Sequence, residues 1–194
     1  MKQNSFNVVL KHIKQGRVCR RADLNSYSSA IDRDLKQLCQ RKDLLKLAPG
    51  LYYRPKQSAF GPQAAENRDL VRSFLKDSRF LMTSPNYFNN LGLGLSQLHN
   101  HYFVYNYKRH GKIILGSNIF EFKRVNQFPK KLSKEYLVVD LLNTMKTLGE
   151  DETRIVAQLK DRVSDFDSEE LLKMAKKYGR ARTKNLIKEI HAPS

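Results

Sequence analysis

The sequence predicts an α+β protein in two parts, and three observations predict it. Apolar residues recur at helical spacing in three short segments before residue 42, then switch to a hairpin pattern around Pro49-Gly50. Aromatic and β-branched residues crowd the stretch from His101 to Val125, punctuated by glycine turns. Beyond residue 134 only helical stripes remain. Residues 58–63 mix polar residues with Gly and Pro and read as a linker between a domain over 1–57 and a second over 64–194.

In the first part, Phe6, Val9, Leu10 and Ile13 fall at i, i+3, i+4 and i+7, one face of a helix that Gly16 can end. Arg20-Arg21-Ala22-Asp23-Leu24 suits a short second helix, and Asn25-Ser26 supplies the polar residues of a turn. A third helix follows, with Ile31, Leu35, Leu38 and Cys39 inward and Ser28, Ser29, Asp32, Arg33 and Lys36 toward solvent. The run Leu44 to Leu47, a turn at Ala48-Pro49-Gly50, and Leu51-Tyr52-Tyr53 then make a short β-hairpin.

Three helices and a basic hairpin within this span have the order of a winged helix-turn-helix, in which the third helix enters the major groove and the hairpin lies against the backbone. Arg33, Ser28 and Ser29 near the start of the third helix are placed to reach base edges or phosphate; Arg20, Arg21 and Lys36 join them as candidate DNA contacts. Lys46 and Arg54, beside the hairpin, are candidates to neutralise phosphates.

In the second part, Leu70, Val71, Phe74 and Leu75 mark one helix, and Ser84-Pro85 opens a short segment carrying Tyr87, Phe88 and Leu91. His101–Tyr107, Lys112–Leu115 and Ile119–Val125 predict a small three-stranded antiparallel meander. Four C-terminal helices follow, on the stripes Leu137/Leu141/Met145/Leu148, Ile155/Val156/Leu159/Val163, Leu171/Leu172/Ala175/Tyr178 and Leu186/Ile187/Ile190. Asp167-x-x-Glu170 has the form of a capping box at the third of them.

Charge narrows the function. The 194 residues carry a formal net charge of +17, and residues 1–60 hold 13 Lys/Arg against 4 Asp/Glu. A surplus of this size calls for an anionic partner, nucleic acid first, met by the N-terminal end. No apolar run reaches the ~18 residues of a spanning helix, and no secretion signal is visible, so a cytoplasmic protein without membrane contact is expected. Cys19 and Cys39 lack metal-ligand spacing and read as reduced core residues. Lys173, Lys176, Lys177, Arg180 and Arg182 form a second basic cluster, a candidate surface for a partner. Tyr102, Tyr105 and Tyr107 beside Lys108 and Arg109 give the alternative reading, a basic RNA-binding or translation-associated protein that stacks bases on tyrosines.

The wording of the first part is more specific than its order of elements. Ala30-Ile31-x-x-x-Leu35-x-x-Leu38, followed by Leu44-x-x-Leu47-x-x-Gly50-Leu51-Tyr52-x-x-Pro55, resembles the winged-helix domain of the AbiEi family of abortive-infection antitoxins. Thr83-Ser84, Asn90-Leu91-Gly92-Leu93 and the stretch from His101 to Val125 are similar to the region that follows it in that family. The resemblance implies the antitoxin of a type IV toxin–antitoxin pair. Its winged helix would bind and repress the double-stranded DNA of its own promoter region, and its second domain would counteract a nucleotidyltransferase-like toxin. One departure stands out: Lys42 occupies the turn after the third helix, where Gly is common in the family.

Catalysis, metal and cofactors are not expected. His99-x-His101 lacks a third ligand, Gly92-x-Gly94 is too short for a dinucleotide loop, and Gly94-Leu95-Ser96-Gln97 lacks the second glycine of a nucleophile elbow. Asp165-x-Asp167 sits at a helix start, where Asp serves as a cap.

Overall fold

The computed structural model describes residues 4–93 and 100–191, so the readings on Gly94–Gln97 and His99 lie outside the described residues. The chain is α+β and divides into two compact units, one taking the chain through Ser78 together with 113–119, the other Arg79–Lys112 and the chain from Phe120 onward.

In the first unit the order is α1 (Ser5–His12), β1 (Arg17–Arg20), α2 (Arg21–Leu24), a 3-10 turn (Asn25–Tyr27), α3 (Ile31–Gln40), β2 (Leu45–Ala48) and β3 (Leu51–Arg54). The strands form one antiparallel sheet ordered β1-β3-β2, with Arg17 opposite Arg54 and Leu45 opposite Tyr53. β1 was not anticipated, because Arg-Val-Cys-Arg is too short and too charged to show a strand period; it exists by pairing with β3. Val9, Ile13, Leu24, Ile31, Leu35, Leu38, Leu44 and Tyr52 make the core. Leu35 and Leu38, wholly buried, each stabilise the unit by about 1.5–3 kcal/mol relative to exposure.

α3 ends in a left-handed residue. Lys42 has φ +62°, its N–H reaches Cys39 O at 3.0 Å, and the Asp43 N–H reaches Leu38 O at 3.0 Å. This is the Schellman ending, built with a lysine where glycine costs least. The chain then turns at Pro49-Gly50, Gly50 carrying φ +70° between β2 and β3. The stretch 58–63, expected as a linker, holds most of a two-strand ladder, β4 (Gln57–Ser58) with β5 (Gly61–Pro62). The unit continues through α4 (Asn67–Leu75), which buries Leu70, Val71 and Leu75.

After Ser78 the chain continues as β6 (Phe80–Thr83), α5 (Pro85–Asn89), β7 (His101–Asn106), β8 (Gly111–Leu115), β9 (Asn118–Arg124), α6 (Lys134–Leu148), α7 (Glu152–Asp161), α8 (Ser168–Tyr178) and α9 (Ala181–His191), all in the second unit except the 113–119 stretch of β8 and β9. The expected antiparallel meander is corrected here. The sheet has four strands in the order β6-β7-β9-β8 and is mixed, with β9 inserted between β7 and β8. β6 pairs antiparallel with β7, while the Val125 N–H just past β9 meets Asn106 O at the end of β7. Residues 107–110 therefore step over the width of a strand, about 10 Å at the usual inter-strand spacing, a distance four residues cover easily. Asn106, 1% exposed, shapes that corner: its Oδ1 accepts from the N–H groups of Lys108 (2.9 Å) and Arg109 (2.6 Å), and its Nδ2 donates to Arg109 O at 3.0 Å.

α6 runs through the middle of this unit. Sequence spacing assigned it one apolar face, yet Tyr136 to Leu142 are all buried, Asp140 included, so neighbours cover it on every side. Asn143 ties it to the α8–α9 turn, donating to Tyr178 O (3.1 Å) and accepting from the Arg180 N–H (2.9 Å) and the Thr183 hydroxyl (2.8 Å). Asp167 caps α8 through the Glu170 N–H at 2.9 Å, but the Glu170 carboxylate turns to Lys173 instead of closing the box.

Candidate nucleic-acid interface

α3 is set in place by a buried carboxylate. Asp34, 1% exposed, accepts the Ser5 hydroxyl on Oδ1 (2.8 Å) and the Ser28 hydroxyl on Oδ2 (2.6 Å), joining α1, the turn before α3 and α3 itself. Ser28 Oγ also accepts the Ala30 N–H at 3.0 Å. The sequence reading placed Ser28 in solvent as a DNA contact; its hydroxyl is instead committed to starting the helix.

The outer face of α3 carries Asp32, Arg33, Lys36, Gln37 and Gln40, all exposed, with Ser29 exposed just ahead of it. Arg33 is the most open of the arginines predicted to touch DNA, its side chain 70% exposed and 4.0 Å from Asp34 Oδ1. Gln37 and Gln40 were not singled out from sequence. Their signal was the spacing: they stand four and seven residues after Arg33, on the same face, and glutamine pairs with adenine edges.

The remaining predicted contacts divide. Lys36 and Lys46 are exposed and make no ion pair among the described residues. The Lys46 charge is felt at Cys39, whose thiol is pushed up by burial and drawn back by that lysine, so Lys46 lies near the last turn of α3. Arg21 holds Asp32 with two bonds, at 2.5 and 2.6 Å, and the pair keeps the Asp32 carboxyl below its ordinary range. Arg20 likewise grips Asp23, at 2.9 and 2.6 Å. Arg54 turns inward, its Nη1 donating to Leu10 O (2.9 Å) and Ile13 O (2.6 Å) at the end of α1. Those carbonyls lie at the last turn of α1, so Arg54 serves as a C-terminal cap where a phosphate contact was expected. Ser29, Arg33, Lys36 and Lys46 stand open, while Arg20, Arg21, Ser28 and Arg54 are engaged within the unit.

In the second unit the C-terminal cations also separate. Lys173 pairs with Glu170 at 2.8 Å, Arg182 pairs with Glu152 of α7, and Lys176 is exposed. Lys177 and Arg180 alone among the five line a cavity of about 460 Å³. Tyr105, Glu121 and Lys123 also line it, and they belong to a polar cluster that sequence spacing could not reveal, because its members come from three strands and a helix. Asp140 of α6 accepts the hydroxyls of Thr83 (2.8 Å) and Tyr105, and burial pushes its carboxyl above the ordinary range. Lys123 of β9 lies against the Phe103 ring, 3.8 Å from its centroid, and 3.8 Å from Glu121 Oε1. The tyrosines of the alternative RNA reading are mostly occupied: Tyr105 is buried on Asp140, Tyr102 stacks on Phe120, and Tyr107 packs on Phe128.

Among the described residues no group of three His, Cys, Asp or Glu side chains is placed to hold a metal ion, and no helix is long and apolar enough to cross a membrane. Asp165 pairs with Arg162 at 3.0 Å, and Cys19 and Cys39 are free and half-buried, the Cys19 thiol pushed up to about 12 by burial. Comparison with protein-family models, curated proteins and solved structures gives no match.

Proposed function

We propose that this chain is a DNA-binding autorepressor whose first unit is a winged helix-turn-helix, with α3 as the helix that enters the major groove. The observation that carries the reading is the open polar face of α3, Arg33, Lys36 and Gln37 outward, above a helix whose other side is fixed by Asp34. The order α1-β1-α2-α3-β2-β3, the β1-β3-β2 sheet and the charge density of residues 1–60 support it. Base edges fall to Arg33, Gln37 and Ser29, and phosphates to Lys36 and Lys46, in a cytoplasmic protein that acts by binding without catalysis.

The resemblance to the AbiEi family extends the proposal: the second unit counteracts a nucleotidyltransferase-like toxin, and Lys176 and the other exposed cations of α8 and α9 suit an acidic partner surface. Fluorescence anisotropy of the full chain at two salt concentrations tests the first half, using duplex from upstream of its gene, a scrambled duplex and a matched RNA. Tighter binding to the upstream duplex is expected; preference for RNA, or equal binding to all three, overturns it. Rescue of growth on co-expression with a neighbouring nucleotidyltransferase-like gene tests the second half, and failure to rescue removes it.

A further inference from the structure

The cavity of the second unit lies outside the DNA reading and has its own chemistry. Its volume, about 460 Å³, falls within the ~300–1,000 Å³ of small-molecule sites. Four basic side chains line it, Lys123, Arg124, Lys177 and Arg180, against one carboxylate, Glu121. Glu121 is already surrounded, with His101 at 3.3 Å, Lys123 at 3.8 Å and Lys112 at 3.9 Å. Arg124, Lys177 and Arg180 have no carboxylate within ion-pair distance among the described residues. The other nearby anion, Asp140, is wholly buried and already accepts the Tyr105 and Thr83 hydroxyls.

We propose that this cavity binds a small phosphorylated molecule, its phosphate between Lys123 and Arg180 and its remainder along Tyr136, Tyr178 and Asn126. Lys123 is what separates the site from an ordinary basic surface. Its ammonium lies over the Phe103 ring, its side chain is 15% exposed, and it projects from a strand. Burial pushes its ammonium below the ordinary lysine range, and the Arg180 charge acts in the same direction. An entering dianion would offset that repulsion, so binding draws on an electrostatic cost already present in the empty fold. The Arg180 side chain is spare for this purpose, because its structural bond to Asn143 is made by its backbone N–H.

Isothermal titration calorimetry of the full chain with pyrophosphate and with ADP tests the site. Saturable one-site binding of at least one probe is expected, at least tenfold weaker in Arg180→Gln and in Lys177→Gln, both with unliganded melting temperatures within a degree or two of the parent. ADP binding tenfold tighter than pyrophosphate would assign the ligand to nucleoside phosphates, and equal binding to phosphate species without a base. No saturable heat with either probe, or undiminished affinity in Arg180→Gln, would overturn the proposal. DNA binding by the first unit is read separately by anisotropy, so failure of either proposal leaves the other standing.

Discussion

Ser5, the first residue of α1, donates its hydroxyl to Oδ1 of the buried Asp34 in α3 at 2.8 Å, twenty-nine residues away. Ser28 takes the other carboxylate oxygen, so one side chain sets the angle between α1 and the outward face of α3. Asp34→Ala leaves two hydroxyls without their acceptor and should destabilise the first unit by about 2–4 kcal/mol. Urea unfolding measures this, and an unchanged midpoint would remove Asp34 from that role.

Lys42 bears the strain of a left-handed turn that glycine would adopt freely. Lys42→Gly should stabilise the unit by about 0.5–1 kcal/mol, the relief of strain exceeding the added entropy of the unfolded chain. The check is a rise in urea midpoint at constant m-value; a fall would mean that the lysine side chain contributes packing that outweighs the turn.

If the first unit binds DNA as proposed, Asp32 competes with phosphate for Arg21, which it holds with two bonds. Asp32→Asn should release the guanidinium, tighten binding to all duplexes and steepen the salt dependence by up to about one unit of slope. Arg33→Ala should act differently, costing about 1–3 kcal/mol on the cognate duplex and little on a scrambled one. Equal losses on both duplexes would take Arg33 out of base recognition.

Arg54 and Lys46 look alike in sequence but should respond to opposite assays. Arg54→Met removes the donor to Leu10 O and Ile13 O and should cost about 1.5–3 kcal/mol of stability. Lys46→Ala should leave stability nearly unchanged and lower the salt slope of DNA binding by about one. A stable Arg54→Met protein with a reduced slope would restore Arg54 to the phosphate contacts.

Asp140 makes stability depend on pH in a direction unlike most carboxylates. Burial raises its folded-state pKa above the ordinary 3.8, so the folded chain holds this proton longer than the unfolded chain does. Its contribution is therefore greatest below 3.8 and declines as pH rises toward the folded value. The stability of the parent relative to Asp140→Asn should fall between pH 3.5 and pH 7, as read by denaturant unfolding across that range (roughly the span in which carboxylates titrate). A difference that is flat or rises with pH would contradict the assignment.

Much of the architecture was legible, because helices announce themselves over ten or more residues. The stripes of α1, α3, α7, α8 and α9 read correctly, as did the hairpin turn at Pro49-Gly50 and the Asp167 cap. β1 and β6, four residues each, were missed; strands that short take their identity from the partner they pair with. Of the open face on α3, sequence found Ser29, Arg33 and Lys36 and overlooked Gln37 and Gln40, whose charge is zero and whose claim rests on position alone.

What the sequence by itself determined was the class, the α3 helix with its exposed face, and a large basic surplus, because periodicity and net charge are sums along the chain. Only the tertiary structure decided which cations are available. Arg20, Arg21 and Arg54 carry the same charge as Arg33 and Lys36, but carboxylates and helix carbonyls hold the first three at 2.9 Å or less, whereas Arg33 stands 4.0 Å from Asp34. It alone also inserted β9 between β7 and β8 and brought Thr83, Tyr105 and Asp140 together. Those outcomes depend on pairing between residues far apart in the chain, to which local spacing is blind.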